Sequence, residues 1–164
     1  MPLIAWTNHL NVGVKLLNND HKKLVILLNS LHDGLVTGQT KPELENIFEK
    51  LVTYTRIHHT NEEKFLAEAG YHSSQMHIQE HEQMLNQLIE LQMRFLGSAQ
   101  LGVEMEIMHQ LRVWLFKHIQ ESDQKFAVHL KTINVDAVLA GWKDPATIPR
   151  KTPEHETRVE QGLW

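Results

Sequence analysis

Apolar residues recur about every three to four positions through four long stretches of the chain, the spacing that lines one face of an α-helix. The first stretch opens after the cap-like run Asn18-Asn19-Asp20, places His21, Leu24, Val25, Leu28 and Leu35 on one face, and runs to about Gly38. The second starts at Pro42, a good first-turn residue, and ends near Gly70; its inward stripe is Leu44, Ile47, Leu51, Tyr54, His58, Glu62 and Phe65. The third runs from near Ser74 to Gly97 with the stripe His77, His81, Met84, Leu88, Leu91 and Phe95. The fourth begins around Gly102 and turns Ile107, Leu111, Leu115, His118 and Ser122 inward. Long amphipathic helices with short connections bury their stripes only against one another. The expected fold is therefore all-α, an up-down-up-down antiparallel four-helix bundle over residues 1–133 with an N-terminal arm to about residue 17. Residues 134–164 form a C-terminal extension, where Pro145, Pro149 and Pro153 argue for irregular chain after a short helix over Val135 to Trp142.

Polar residues interrupt these stripes at chosen places. His21 lies near the start of the first helix, His58 and Glu62 late in the second, His77 and His81 at the start of the third, and His118 and Asp123 late in the fourth. In an up-down bundle those positions share one end, so all seven side chains meet in one layer of the core. Burying so many imidazoles and carboxylates without partners costs several kcal/mol each, and a pair of metal ions would compensate them. If each carboxylate bridges two ions and a solvent oxygen joins them, roughly eleven of the twelve positions of two octahedral ions are filled. One position is left for a small ligand. A nitrogen-rich site without thiolate suits iron. Asp123 is the irregular member, because five residues advance about 140° on an ideal helix, and a locally widened turn would be needed to aim it inward.

The spacing His21, His58-x-x-x-Glu62, His77-x-x-x-His81 and His118-x-x-x-x-Asp123 resembles the hemerythrins, and the arm Ile4-Ala5-Trp6 is similar to their bacterial branch. The likeness extends over about residues 4 to 130 and includes Asp20-His21, Glu62-Glu63-Lys64, Gly70-Tyr71 and Trp114-Leu115. It implies two non-haem iron ions (Fe2+/Fe3+) with an oxo or hydroxo bridge. His77, His81 and His118 would hold one iron, His21 and His58 the other, and Glu62 and Asp123 would bridge them. The two-histidine iron would be five-coordinate and bind O2. By the same resemblance Leu115 shields the O2 pocket, Trp114 is its neighbour in the motif, and His59 stands where the family has phenylalanine. The implied function is O2 storage, transport or delivery to an oxygen-consuming enzyme, with no catalytic residue. The same open position would also serve a di-iron enzyme acting on peroxide, nitric oxide or nitrite, while an O2 or iron sensor would need a separate output partner.

Composition narrows the field further. The 164 residues contain no cysteine and carry a net charge of -4, so disulfides and thiolate metal sites are excluded and nucleic acid is not an expected partner. No apolar run approaches about 18 residues and Met1-Pro2-Leu3 starts no charged leader, so no integral membrane segment and a cytoplasmic location are expected. His32 and His129 are each about 16 Å of helix from the candidate histidine ligand on their own helix, His21 and His118, and His9, His72, His109 and His155 read as surface residues. Glu63 also reads as solvated. The sequence leaves the oligomeric state open.

Overall fold

The computed structural model describes residues 1–141. After an extended arm containing a short 3-10 turn at Asn8–Leu10 come helices α1 (Lys15–Thr37), α2 (Lys41–Glu68), α3 (Ser74–Leu96) and α4 (Leu101–Lys117). A π-helical turn over His118–Asp123 carries α4 directly into α5 (Gln124–Leu130), and α6 (Val135–Gly141) follows. No strand occurs among the described residues. Helix α1 packs on α2 and α4, α2 on α3, and α3 on α4, which closes a ring of four helices. The sequence expectations for Trp142, Pro145, Pro149, Pro153 and His155 fall outside the described residues.

Local chemistry sets the helix ends. Thr40 and Glu43 form a reciprocal capping box at the start of α2, with Pro42 in the first turn. Gly38 ends α1 in the left-handed conformation (φ 77°), which a side chain would make costly. The start of α1 differs from the expected Asn18-Asn19-Asp20 cap: the helix begins at Lys15, after Val14. Asn18 instead lies within the first turns and uses its amide on the arm. Its Oδ1 accepts from the Val12 N–H at 2.9 Å and its Nδ2 donates to Asn11 Oδ1 at 2.7 Å. The arm is held further up the bundle by Asn29, whose side chain exchanges two hydrogen bonds with the Ile4 backbone.

Two apolar clusters fill the interior. The larger contains Leu24, Leu28, Leu51, Leu88, Phe95, Leu111 and Leu115. The smaller gathers Val14, Leu17, Phe65, Leu66, Tyr71 and Phe126, with Val135, Val138 and Leu139 of α6 half-buried against it. The stripe expected on α3 is buried at every position. On α2 the expected Ile47 and Tyr54 are only half-buried, whereas Phe48, Thr55, Asn61 and Leu66 are buried because α2 packs against both α1 and α3.

Candidate metal centre

Between the two clusters lies a polar layer. His21 comes from α1, His58 and Glu62 from α2, His77 and His81 from α3, and His118 and Asp123 from the π-helical turn. All seven are buried, with Glu62, His21 and Asp123 fully so. One turn beyond His21 sits Leu24, and one turn before His118 sits Leu115, both in the larger cluster. Leu17 precedes His21 by a turn, while Phe65 and Phe126 each follow a carboxylate by one, all in the smaller cluster. The sequence therefore builds the layer by exchanging apolar for ligating residues within otherwise continuous stripes.

The π-helical turn supplies the correction that Asp123 needed. Its i→i+5 register adds one residue to the turn, so a residue five positions after His118 returns to the same face. Asp123 is fully buried, and Ser122, placed on the inward stripe by a regular helix, is half-buried.

Each carboxylate divides its oxygens between two groups of histidines. Glu62 Oε1 accepts from His77 Nε2 at 2.7 Å and lies 3.3 Å from His81 Nε2, while Oε2 lies 3.7 Å from both His21 and His58 Nε2. Asp123 Oδ1 is 2.9 Å from His118 Nε2 and 3.5 Å from His77 Nε2, and Oδ2 is 3.2 Å from His21 Nε2. Within the groups, His21 and His58 bring Nε2 atoms to 3.1 Å, as do His81 and His118. Two nitrogens that each bind one divalent ion at about 2.1 Å and at right angles would be about 3 Å apart, so these spacings suit adjacent ligands on a metal. Ligand atoms of Glu62, His77, His81, His118 and Asp123 converge as one set that could hold an ion, and those of His21, His58 and Glu62 as a second.

Further carboxylates grip the outer nitrogens. His81 Nδ1 donates to Glu63 Oε1 at 2.8 Å, so Glu63 is a half-buried partner of the site rather than the solvated residue expected from sequence. Asp20 Oδ2 lies 3.6 Å from His58 Nδ1, and Tyr54 Oη donates to Asp20 Oδ1 at 2.6 Å. Such partners fix the ring orientation and basicity of a ligating imidazole. Neither contact has a periodic signature, because each joins residues on different helices.

The electrostatics show strain that a cation would relieve. Burial raises the Glu62 carboxyl, but hydrogen bonds from His77 and His81 and the charges of His58 and His81 hold it well below its ordinary range. Burial likewise opposes ionisation of Asp123 and is aided by the negative charge of Glu62, yet His118 and His21 still lower its pKa. For His81 burial pulls downward, while Glu62, Glu63 and Asp123 together push it up to about 9. His58 moves down, chiefly through burial. Even so, Asp20 Oδ2, His21 Nδ1, His58 Nδ1, Glu62 Oε2 and both oxygens of Asp123 are buried without a hydrogen-bond partner. Buried polar atoms left in that state cost about 1–3 kcal/mol each, and three of them, Glu62 Oε2 and the two Asp123 oxygens, face the histidine Nε2 atoms. The residues present fit a pair of cations.

The remaining sequence candidates separate. Leu115 is buried in the larger apolar cluster. Trp114 is half-buried, donates its indole N–H to the Met84 carbonyl at 3.1 Å, and lines a groove of about 370 Å³ between α3 and the end of α4 that also reaches His118. His59 is buried against the three-histidine group, its ring stacked on His81 at 3.8 Å. Of the other histidines, His32 is half-buried beside Asp33, His129 is bonded to the Ala69 carbonyl, and His9, His72 and His109 are exposed.

A family model, the hemerythrin HHE cation-binding domain, matches residues 12–130. The chain belongs to the hemerythrin family. Among similar sequences, a bacteriohemerythrin of Pseudomonas aeruginosa is 33% identical over 75% of this chain and 78% of its own length. A bacteriohemerythrin of Stenotrophomonas maltophilia is 30% identical over 87% of this chain and 94% of its own. Among solved structures, a wild-type hemerythrin matches with a TM-score of 0.69 and 28% identity, covering 78% of this chain and 98% of that one. Together these make it a bacteriohemerythrin-type protein, and the bundle is a hemerythrin fold. Among the described residues no helix is long and apolar enough to cross a membrane.

Proposed function

We propose that this hemerythrin binds O2 reversibly at a non-haem di-iron centre. His77, His81 and His118 would hold one iron, His21 and His58 the other, with Glu62 and Asp123 bridging. The observation that carries this reading is the division of both carboxylates between the two histidine groups. An iron pair so held would supply two one-electron equivalents to a bound dioxygen and recover them on release. The three-histidine half has one protein nitrogen more than the other, so a small ligand would be taken up on the His21 and His58 side. A solvent-derived oxo or hydroxo bridge fits the remaining shared position.

The chain's own residues would favour reversible binding over turnover. Two carboxylates balance only part of the charge of two divalent ions, and neutral imidazoles supply the rest of the ligand set. Leu115 and Leu24 provide apolar walls that keep water and protons from the layer. Glu63 holds His81 in a fixed tautomer by a hydrogen bond, and the Asp20 carboxylate, 3.6 Å from His58 Nδ1, favours a proton on that outer nitrogen. The three-, five- and four-residue connections after α1, α2 and α3 support an up-down-up-down antiparallel course, which places all seven residues at one level. Physiologically, this chemistry suits O2 storage, transport or delivery to oxygen-consuming enzymes.

Anaerobic loading with ferrous iron, admission of O2 and its removal, followed by visible absorption, tests the proposal. A spectrum that appears with O2 and returns to its starting state on removal is expected. One-way oxidation accompanied by steady consumption of peroxide, nitric oxide or nitrite would replace the carrier reading with an enzymatic one.

A further inference from the structure

Among the described residues, His59 is the one buried histidine near the polar layer that offers no nitrogen to it. Its ring lies parallel to that of His81, with centroids 3.8 Å apart and planes 1° from coplanar orientation. It also sits 6.1 Å from the ring of His118, tilted by 56°. Among the described residues it makes no hydrogen bond of its own. The ring gives the layer a packing face rather than a ligand or a hydrogen bond. What a planar ring provides here is a flat face against another flat face.

We propose that His59 is a positioning residue for the three-histidine half of the centre, acting by its ring face on His81 and His118. This rests on the di-iron reading above and deepens it. Two constraints on His81 are needed to define its orientation. Glu63 anchors Nδ1 and so fixes the direction in which Nε2 points, but it leaves the imidazole free to rock about that hydrogen bond. His59 from α2 closes off this rocking by lying flat on the ring. Because the His118 ring lies beside His81, 5.0 Å from it and 6.1 Å from His59, the same ring face also bears on the 3.1 Å approach of the His81 and His118 Nε2 atoms. The neighbouring residue, His58, belongs to the two-histidine group, so successive positions of α2 serve opposite halves of the centre. A planar aromatic residue should replace His59 in this role, whereas a branched aliphatic one of similar bulk should not.

The test loads the metal-free full chain with Co2+, whose visible ligand-field bands report coordination geometry, and compares the parent with His59→Phe and His59→Leu. The parent and His59→Phe should bind two ions with matching affinities and bands. His59→Leu should bind one ion as the parent does and the other roughly tenfold more weakly, with altered bands for that ion alone. Thermal midpoints of the metal-free proteins would identify any folding failure of His59→Leu, and His59→Met then serves as the second non-planar variant. Both variants matching the parent, or equal weakening of both ions, would overturn the positioning role while leaving the two-ion centre intact. A parent chain that takes up no Co2+ would instead remove the di-iron reading, and the role of His59 with it.

Discussion

Raising the pH of the metal-free protein should destabilise it, and the metal-loaded protein should not follow. In the metal-free layer His81 is the group with the largest upward shift that has a definable value, about 9 against an ordinary 6.5. A pKa raised by folding contributes stability that is complete below pH 6.5 and is lost as pH rises through 9, because unfolding releases the proton there. At about 1.4 kcal/mol per pH unit, the gap corresponds to ~3–4 kcal/mol at most. His21, also raised against the pull of burial by Asp123, Glu62 and Asp20, adds loss of the same sign. His58 and His59 have the opposite sign. Burial lowers both, so their contribution is present above pH 6.5 and disappears as pH falls. The metal-free protein should thus be most stable near pH 6.5 and decline on either side. Urea unfolding from pH 5 to about 10 measures this directly. Glu63→Gln, which weakens the outer hydrogen bond of His81, should move the alkaline decline to lower pH. Loaded with metal, the imidazole nitrogen carries an ion in place of the proton and the alkaline decline should vanish. Metal-free stability that is flat or rising between pH 6.5 and 9, or a Glu63→Gln curve superimposable on the parent, would refute the reasoning.

Other expectations follow from individual contacts. Glu62→Ala removes a carboxylate shared by both halves and should reduce tight uptake below two metal ions per chain, as measured by elemental analysis after gel filtration. Tyr54→Phe deletes the hydrogen bond to Asp20 and should cost about 0.5–1.5 kcal/mol in urea unfolding with metal content unchanged. Leu115→Ala opens the apolar wall, should cost about 2–5 kcal/mol, and should speed irreversible oxidation of the oxygenated protein followed by absorbance. At the far end of the bundle, Lys41 donates to the Phe95 and Ser98 carbonyls and pairs with the buried Glu104. Lys41→Met leaves that carboxylate without its cation and should lower the thermal midpoint by several degrees while metal binding is retained.

The parts of this molecule that were legible in its sequence are those written within single helices. Every residue of the α3 stripe is buried, because α3 presents one face to the core and its polar members, His77 and His81, keep the same period as its apolar ones. Helix α2 blurred the pattern by packing on two sides, so Phe48 and Leu66 are buried while Ile47 is not. The start of α1 departs from the expected cap because the fold spends the capping chemistry of Asn18 on the arm. Asp123 shows a third kind of case. Its spacing from His118 does not fit a regular helix, and the misfit itself pointed to the π-helical turn. The pairs Glu63 with His81, Asp20 with Tyr54, and His59 with His81 join residues of different helices, and no periodicity within one helix encodes them.

The claim on which the rest depends is that two iron ions share Glu62 and Asp123 while differing in their histidines. Mössbauer spectroscopy of the full chain loaded anaerobically with 57Fe2+, with iron and protein quantified on the same sample, tests it most directly. About two irons per chain in two distinct ferrous environments of equal area are predicted, one for each histidine group. A single ferrous environment, or one iron per chain or fewer at saturation, would contradict the account.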